Sequence, residues 1–590
     1  MPLPVCASAR PAPLLRRTLV ALSLWAAAGV AFATKPEIDI DGVDGKLRDN
    51  VRLSLSLSRE ACDTPRWRVQ RQFRSADGEV DGALRAFGHY HAKLTKRLEF
   101  AKDCWSANFQ IDPGEPVRIQ AVDVEIDGGA KDDSAFADLL RGLPLKPGDI
   151  LIHGLYEQIK SDLTTLAAER GYLNGQFTRS ELRVDPEKNS AVVRLRYASG
   201  PRYRFGELRI HQKGLDEDLI QRILRYPLDT FFDSAQLTKL HQRLTDSGYF
   251  SRVKVRQRRD EAVDGRIPVD VELDLKKRHR YSAGAGFSTD IGPNIKLGYE
   301  QRRVNPRGHR LTANLSASPV SSSLAGDYQI PLENPQTDWL TLQAGYQTED
   351  TDSESSDQFK LAVSRASRRP SGWLRAASIE FLHEESTIGE EDQTSTLLMP
   401  GVDWSRIRVI KGDSLYPKLG YRANFGLRGS DRSLGSDTAF LQLRMSGKGI
   451  WSPHWLPGRF ISRAELGVSL VGDFDVLPAS QRFFAGGDNS VRGYGFKELG
   501  PEDAAGDVTG GKHLVVGSIE YEHPIRDKWS VAGFVDTGNA LDNFADPLKT
   551  AIGLGIRWRS PIGPIRVDLA HPLDDPDTAV RLHISMGPDL

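Results

Sequence analysis

Between residues 34 and 278 the apolar positions switch period in three successive stretches, from the two-residue alternation of a strand to helical spacing and back. Leu155, Ile159, Leu163 and Leu166, and again Leu237, Leu240 and Leu244, fall on one helical face. Each helical stretch stops at a glycine-tyrosine corner, Gly88-His89-Tyr90, Gly171-Tyr172 and Gly248-Tyr249, repeating at intervals of roughly 80 residues. Strands follow the corners: Gln176 to Val184 returning through Ala191 to Tyr197, and Arg252 to Gln257 returning through Ile267 to Leu275. Val269, Val271, Leu273 and Leu275 alternate with Asp270, Glu272, Asp274 and Lys276, as in an antiparallel sheet with one face under helices. Three α+β modules are therefore expected, at 34–114, 115–199 and 200–278. The basic run Arg252 to Arg259 reads as a solvated strand face, with lipid headgroup contact as the alternative.

Past Arg280 helical periodicity stops, and short alternating segments take over: Tyr281 to Ser288, Asn294 to Arg303, Arg310 to Ala317, Leu324 to Ile330, Trp339 to Gln347 and Phe359 to Arg365. Short turns such as Asn305-Pro306-Arg307-Gly308 alternate with longer polar ones such as Glu349 to Asp357, the asymmetry of a transmembrane barrel. At roughly 17–20 residues per strand and turn, 279–590 holds about 16 strands, an even number as such barrels require. Seven tryptophans (Trp339, Trp373, Trp404, Trp451, Trp455, Trp529 and Trp558) sit near expected strand ends, as an aromatic girdle would. A large soluble β-sandwich or propeller is the competing fold.

Composition changes this picture only at its edges. With 78 basic and 79 acidic residues the chain has no global charge to favour nucleic acid. A mean hydropathy of −0.41 excludes a helical membrane protein but not a barrel, whose strands hide an apolar half at every second residue. Arg16 and Arg17 before the apolar run Leu19 to Phe32, with Ala31-Phe32-Ala33 as cleavage pattern, read as a signal peptide over 1–33. In an oxidising compartment Cys62 and Cys104 are expected to form a disulfide, two reduced buried thiols being the alternative. No metal-ligand spacing accompanies them, and no metal or cofactor is expected.

One stretch is far more specific: Gln481-Arg482-Phe483-Phe484-Ala485-Gly486-Gly487-Asp488-Asn489-Ser490-Val491-Arg492-Gly493-Tyr494, in an interval at about 474–512 between the expected eleventh and twelfth strands. Val491-Arg492-Gly493-Tyr494 resembles the loop-six signature of the POTRA-bearing outer-membrane assembly and secretion barrels, and the βα…αββ repeats with their Gly-Tyr corners resemble POTRA domains. The resemblance implies periplasmic POTRA modules, a 16-stranded antiparallel outer-membrane barrel, and a loop folded into its lumen. It also implies carboxylate partners for Arg492, namely Glu520 and Asp536 on the following strands. A guanidinium confined there needs carboxylates in fork geometry, which inward residues of neighbouring strands can supply. Three POTRA copies look most like the TamA branch, the outer-membrane subunits of translocation and assembly modules, rather than five-copy BamA or two-copy two-partner secretion transporters. That branch implies insertion or secretion of outer-membrane proteins such as autotransporters, with unfolded clients, outer-membrane lipids and a TamB-like inner-membrane-anchored protein as partners.

Gly284 and Gly286 in the first barrel strand, and Gly587-Pro588 after the last, suggest a short, weak seam between the two, since proline cannot donate to a ladder. The resemblance implies that such a seam opens toward client strands; a closed barrel whose glycines only permit curvature is the other reading. Enzyme readings are poor. Gly412-Asp413-Ser414-Leu415 with Asp568-Leu569-Ala570-His571 mimics a GDSL-type esterase, but the serine block lies between two β segments, and no catalytic residues are expected. A passive porin would need neither the repeats nor the Arg492 motif.

Overall fold

The structure, a computed structural model, describes residues 35–352, 354–389, 391–413, 415–560 and 563–587. The expected signal peptide, Ser414 and Pro588 lie outside the described residues. The chain divides into two compact units, Met1–Arg202 and Tyr203–Leu590.

The first unit holds two modules of one design. Strand β1 (Glu37–Asp41), helices α1 (Gly45–Ser54) and α2 (Arg66–Arg85), and strands β2 (Lys93–Phe100) and β3 (Trp105–Asp112) form the first. Strand β4 (Arg118–Asp127), helices α3 (Ser134–Arg141) and α4 (His153–Arg170), and strands β5 (Gln176–Asp185) and β6 (Ser190–Ala198) form the second. In both, the last strand lies in the middle of the sheet, parallel to the first and antiparallel to the second (β1-β3-β2 and β4-β6-β5). The parallel pair needs a crossover, which the helices provide, covering one face. Phe109 and Ile111 meet Val51, Leu55 and Leu84 in one core; Val193 and Leu195 meet Ile159 and Leu163 in the other.

Gly171 caps α4 at φ +90°, a left-handed conformation that residues with a Cβ adopt at a cost. The tyrosine after it folds back on its own module, donating from its hydroxyl to the Gly129 carbonyl and to Asp133, both at 3.1 Å. Burial alone would raise the Asp133 carboxyl, but donors from Arg170, the Ala135 N–H and Tyr172 outweigh it and hold it below its ordinary value. In the first module Tyr90 instead hydrogen-bonds His153 of the second at 2.8 Å. Cys62 and Cys104 form a disulfide closing a separation of 42 residues, beside Trp105, whose indole donates to the Ala61 carbonyl.

The second unit begins with a third module: β7 (Arg204–His211), α5 (Glu217–Leu224), α6 (Ser234–Asp246), β8 (Phe250–Gln257) and β9 (Arg266–Leu275), ordered β7-β9-β8. The basic run on β8 pairs across the ladder with acids of β9, Arg252 with Asp274 at 2.8 Å and Lys254 with Glu272 at 2.9 Å. This module seats on barrel turns. The Tyr249 hydroxyl, kept protonated by burial that pushes its phenol upward, donates to the Gly308 carbonyl at 2.5 Å, and the Arg310 guanidinium lies 4.5 Å from its ring centre. Arg222 reaches the Leu332 carbonyl at 2.6 Å on the next turn.

The barrel is one antiparallel sheet of sixteen strands in chain order. Its first eight are β10 (His279–Ser288), β11 (Gly292–Gln301), β12 (Arg310–Ala317), β13 (Ser321–Pro331), β14 (Asp338–Asp350), β15 (Glu354–Arg368), β16 (Leu374–Ile388) and β17 (Glu391–Gly412). Then follow β18 (Pro417–Ser430), β19 (Phe440–Trp451), β20 (Arg459–Val471), β21 (His513–Arg526), β22 (Trp529–Leu541), β23 (Lys549–Ser560), β24 (Gly563–Pro572) and β25 (Arg581–Met586). Ile519, Val535 and Ile552 pair in register across β21, β22 and β23 on the exposed outer face, while Ser518, Glu520 and Asp536 point inward and are buried.

One detail differs from the sequence reading. The acidic stretch Glu349 to Asp357, expected to be a turn, is mostly ladder: Glu349 pairs with Ser356, and the chain reverses within the Thr351 to Glu354 hydrogen bond. Polar residues there mark strands that continue beyond the apolar band, which alternation alone does not distinguish from loop. The seven tryptophans all lie toward the end that carries the third module, in one rim; Trp529 and Trp558 stack there at 6.0 Å.

Candidate functional site

The interval between β20 and β21, residues 472–512, folds against the inner wall. Its apolar side chains Phe483, Val491, Tyr494 and Leu499 are buried against Leu514, Val516, Ala540 and Ala551 of β21 to β23. Apolar packing brings the loop to the wall, and an ion network fixes its register.

At the centre is Arg492, with its side chain 6% exposed. Its Nε and Nη2 fork onto Asp536 at 2.7 and 3.0 Å, and its Nη1 donates to Glu520 at 2.7 Å and to Asp568 at 3.1 Å. Its backbone N–H also reaches Asp536, at 3.1 Å, and its guanidinium lies 3.4 Å from the Phe534 ring centre. Both residues proposed from sequence as partners, Glu520 and Asp536, thus contact Arg492. Three others were not foreseen. Arg557 bridges Glu520 and Asp568 at 2.9 and 2.5 Å, and Arg463 donates to the Ser490 carbonyl at 2.7 Å. Three guanidiniums face three carboxylates, so the buried set is neutral, the condition under which ions survive desolvation.

The wall makes room for this set. A Cβ on Gly555 would lie 1.8 Å from the Asp568 carboxylate, and Gly493, at φ +100°, lets the loop backbone pass Ala551 and Pro572. Asp568, noted in the sequence only within Asp568-Leu569-Ala570-His571, has the inward parity on β24 that the network requires, though parity alone does not select it. The same parity separates it from His571, which is exposed on the opposite face and contacts the Ala579 carbonyl. Asp568 and His571 are therefore not arranged as a hydrolase pair.

Further anchors hold the loop elsewhere. Lys497, a non-glycine residue at φ +59°, places its ammonium between Glu349 at 2.5 Å and Glu354 at 2.8 Å on the β14–β15 hairpin. Glu384 of β16 accepts from the Ser480 N–H at 3.0 Å. Strain at a position normally costing about 1–2 kcal/mol is kept where two glutamates reward it.

The adjoining stretch of wall, where β25 follows β24 and the sheet ends, is different. Strands β10 and β25 are the two ends of the sheet and share no ladder among the described residues. Among the described residues, the hydrogen bonds joining these ends are at Thr289 and Ile584: the Thr289 N–H donates to the Ile584 carbonyl at 3.1 Å, and the Ile584 N–H to Thr289 Oγ1 at 3.0 Å. Gly284 and Gly286 lie along the unpaired edge of β10, and Gly587 just beyond β25. The tip of the loop bridges this gap. Asp488 accepts from Thr289 at 2.7 Å, its Oδ1 lies 2.7 Å from His583 Nδ1, and its backbone N–H donates to Asp290.

A sixteen-stranded barrel with a plugged lumen, an unzipped seam and three N-terminal α+β modules defines an outer-membrane barrel with periplasmic POTRA domains. Residues 294–589 match the Omp85 superfamily domain, and residues 37–113 match the POTRA domain described as TamA domain 1. The chain belongs to the Omp85 superfamily. It is similar to the outer membrane protein assembly factor BamA of Nitratidesulfovibrio vulgaris, 23% identical over 72% of this chain and 56% of that one. It is also similar to BamA of Neorickettsia risticii, 19% identical over 83% of this chain and 72% of that one. The chain thus spans little more than half of the first relative's length. Among solved structures, BamA from Haemophilus ducreyi lacking POTRA domains 1–3 superposes with a TM-score of 0.69 at 15% identity, covering 80% of this chain and 99% of that one, a likeness of fold.

Proposed function

We propose that this protein is the outer-membrane subunit of a translocation and assembly module, a TamA-type barrel that helps insert or secrete outer-membrane proteins such as autotransporters. Its POTRA modules, at 34–114, 115–199 and 200–278, receive unfolded clients and a TamB-like inner-membrane-anchored protein, and the barrel of 279–590 offers its seam to client strands. The observation that carries this reading is the seam itself: two sheet edges joined by the Thr289–Ile584 hydrogen bonds, with β25 only 6 residues long. An unpaired edge templates an incoming strand, and exchange is easy where little native pairing must break. The match of residues 37–113 to a TamA-type POTRA domain favours this branch, while the BamA relatives favour a general insertase as the second reading.

Thr289→Cys with Ile584→Cys places two thiols where backbone hydrogen bonding brings the strands within disulfide reach. The oxidised pair should stop client assembly and reduction should restore it; undiminished assembly by the locked barrel rejects the seam. Co-purification from native membranes separates the branches. A large inner-membrane-anchored protein is expected, and peripheral lipoproteins without it point to the BamA-like role.

A further inference from the structure

The point where the seam is bridged contains more negative charge than its surroundings balance. Asp290 in the first barrel hairpin, Asp488 at the loop tip and His583 on β25 bring one ligand atom each to within 4.8 Å of one another. The Gly493 N–H donates to His583 Nε2 at 2.9 Å, so the ring proton sits on Nδ1, facing Asp488 Oδ1 at 2.7 Å. The imidazole is therefore neutral. Arg581 is the neighbouring guanidinium, and it is engaged by Glu498. Two carboxylates thus face each other across a neutral ring.

The second observation is an orphaned atom. The Asp488 side chain is 2% exposed, its Oδ1 accepts from Thr289 and His583, and its Oδ2 is buried with no hydrogen-bond donor among the described residues. A buried carboxylate oxygen without a partner loses its hydration for nothing in return. Asp290 is half-buried, and its carboxylate accepts from the Asp488 N–H.

We propose that Asp290 and Asp488 bind a hard divalent cation, with Ca²⁺ or Mn²⁺ as the fitting class, and that His583 is a positioning residue that orients Asp488. The donor atoms are carboxylate oxygens completed by water, which suits such ions. Zinc bound through His583 Nδ1 would have to displace the ring proton, and the proton on Nε2 would then oppose the Gly493 N–H. Sequence spacing cannot reveal this site, because Asp488 is 198 residues from Asp290 and 95 from His583. The cation would tie the first hairpin, the loop tip and the last strand together at the outer end of the seam. That consequence rests on the seam reading, whereas the binding site itself does not.

The test is calorimetric titration of the full-length protein in detergent, freed of metal with a chelator, with CaCl₂ and separately with MnCl₂. One saturable site per chain is expected. Asp290→Asn, with heat-modifiable gel migration checked to show a folded barrel, should abolish it, and His583→Gln should weaken it about tenfold, as loss of an orienting partner does. Absence of saturable binding, binding unchanged in folded Asp290→Asn, or binding of zinc alone overturns the proposal. No client enters this measurement, so its result is independent of whether the seam opens.

Discussion

Two stretches of the same lumen wall are built on opposite terms. Along β21 to β24, loop six is held by a neutral set of buried ions, with Arg492 alone donating to three carboxylates. Beside it, one strand beyond β24, β25 meets β10 through Thr289 and Ile584. A net intramolecular hydrogen bond contributes about 0.5–1.5 kcal/mol, whereas removing one member of a buried ion set costs about 3–5 kcal/mol. The chain therefore fixes its loop to the wall more firmly than it joins its own sheet edges. On the proposed seam reading, the loop stays registered to the wall while the edges part.

The largest expected effect comes from breaking the firm side. Asp536→Asn leaves Arg492 without its fork and should destabilise the barrel by about 3–5 kcal/mol, seen as a lower urea midpoint and as new trypsin cleavage at Arg492 or Lys497. If the loop stays protected and the midpoint holds, the ion set is not its anchor. Gly555→Ala keeps every charge but drives a methyl into the Asp568 carboxylate, where 1.8 Å separates them. A loss of about 1–3 kcal/mol is expected, and trypsin should again reach the loop; a neutral outcome would mean the network tolerates displacement.

The comparison sharpens in native-state hydrogen exchange. Amides of β10 that face the seam should exchange at least about tenfold faster than those of β21 and β22, since opening there breaks few bonds. Equal protection of both regions would remove the contrast.

Local patterning made much of this readable. Alternation gave the strands, and the inward parity of Glu520 and Asp536 on consecutive strands made them available to Arg492. Arg557 and Asp568 obey the same parity, but choosing them needs the lateral offset of β23 and β24, which sequence does not carry. Arg463 lies on β20, before the loop, where the motif draws no attention. Strand ends were poorly legible because ladders such as Glu349 to Asp357 run on as polar sequence. The seating of the third module through Tyr249 and Gly308 was invisible: the same corner in the second module turns Tyr172 inward, and only the barrel turn decides the difference.

The smallest effect is also the most local. Thr289 serves the seam twice through one hydroxyl, accepting from the Ile584 N–H and donating to Asp488. Thr289→Ala removes both bonds but leaves the ion set of β21 to β24 intact, so global stability should fall by only about 1 kcal/mol. The Ile584 amide, deprived of its acceptor, should exchange several-fold faster, while amides of β21 and β22 keep their rates. Thr289→Ser restores the hydroxyl and should restore the slow exchange, which a merely steric role of the threonine methyl would not do. Should Ala and Ser variants exchange alike at Ile584, the seam is held by something other than this hydroxyl, and the contrast with the wall narrows accordingly.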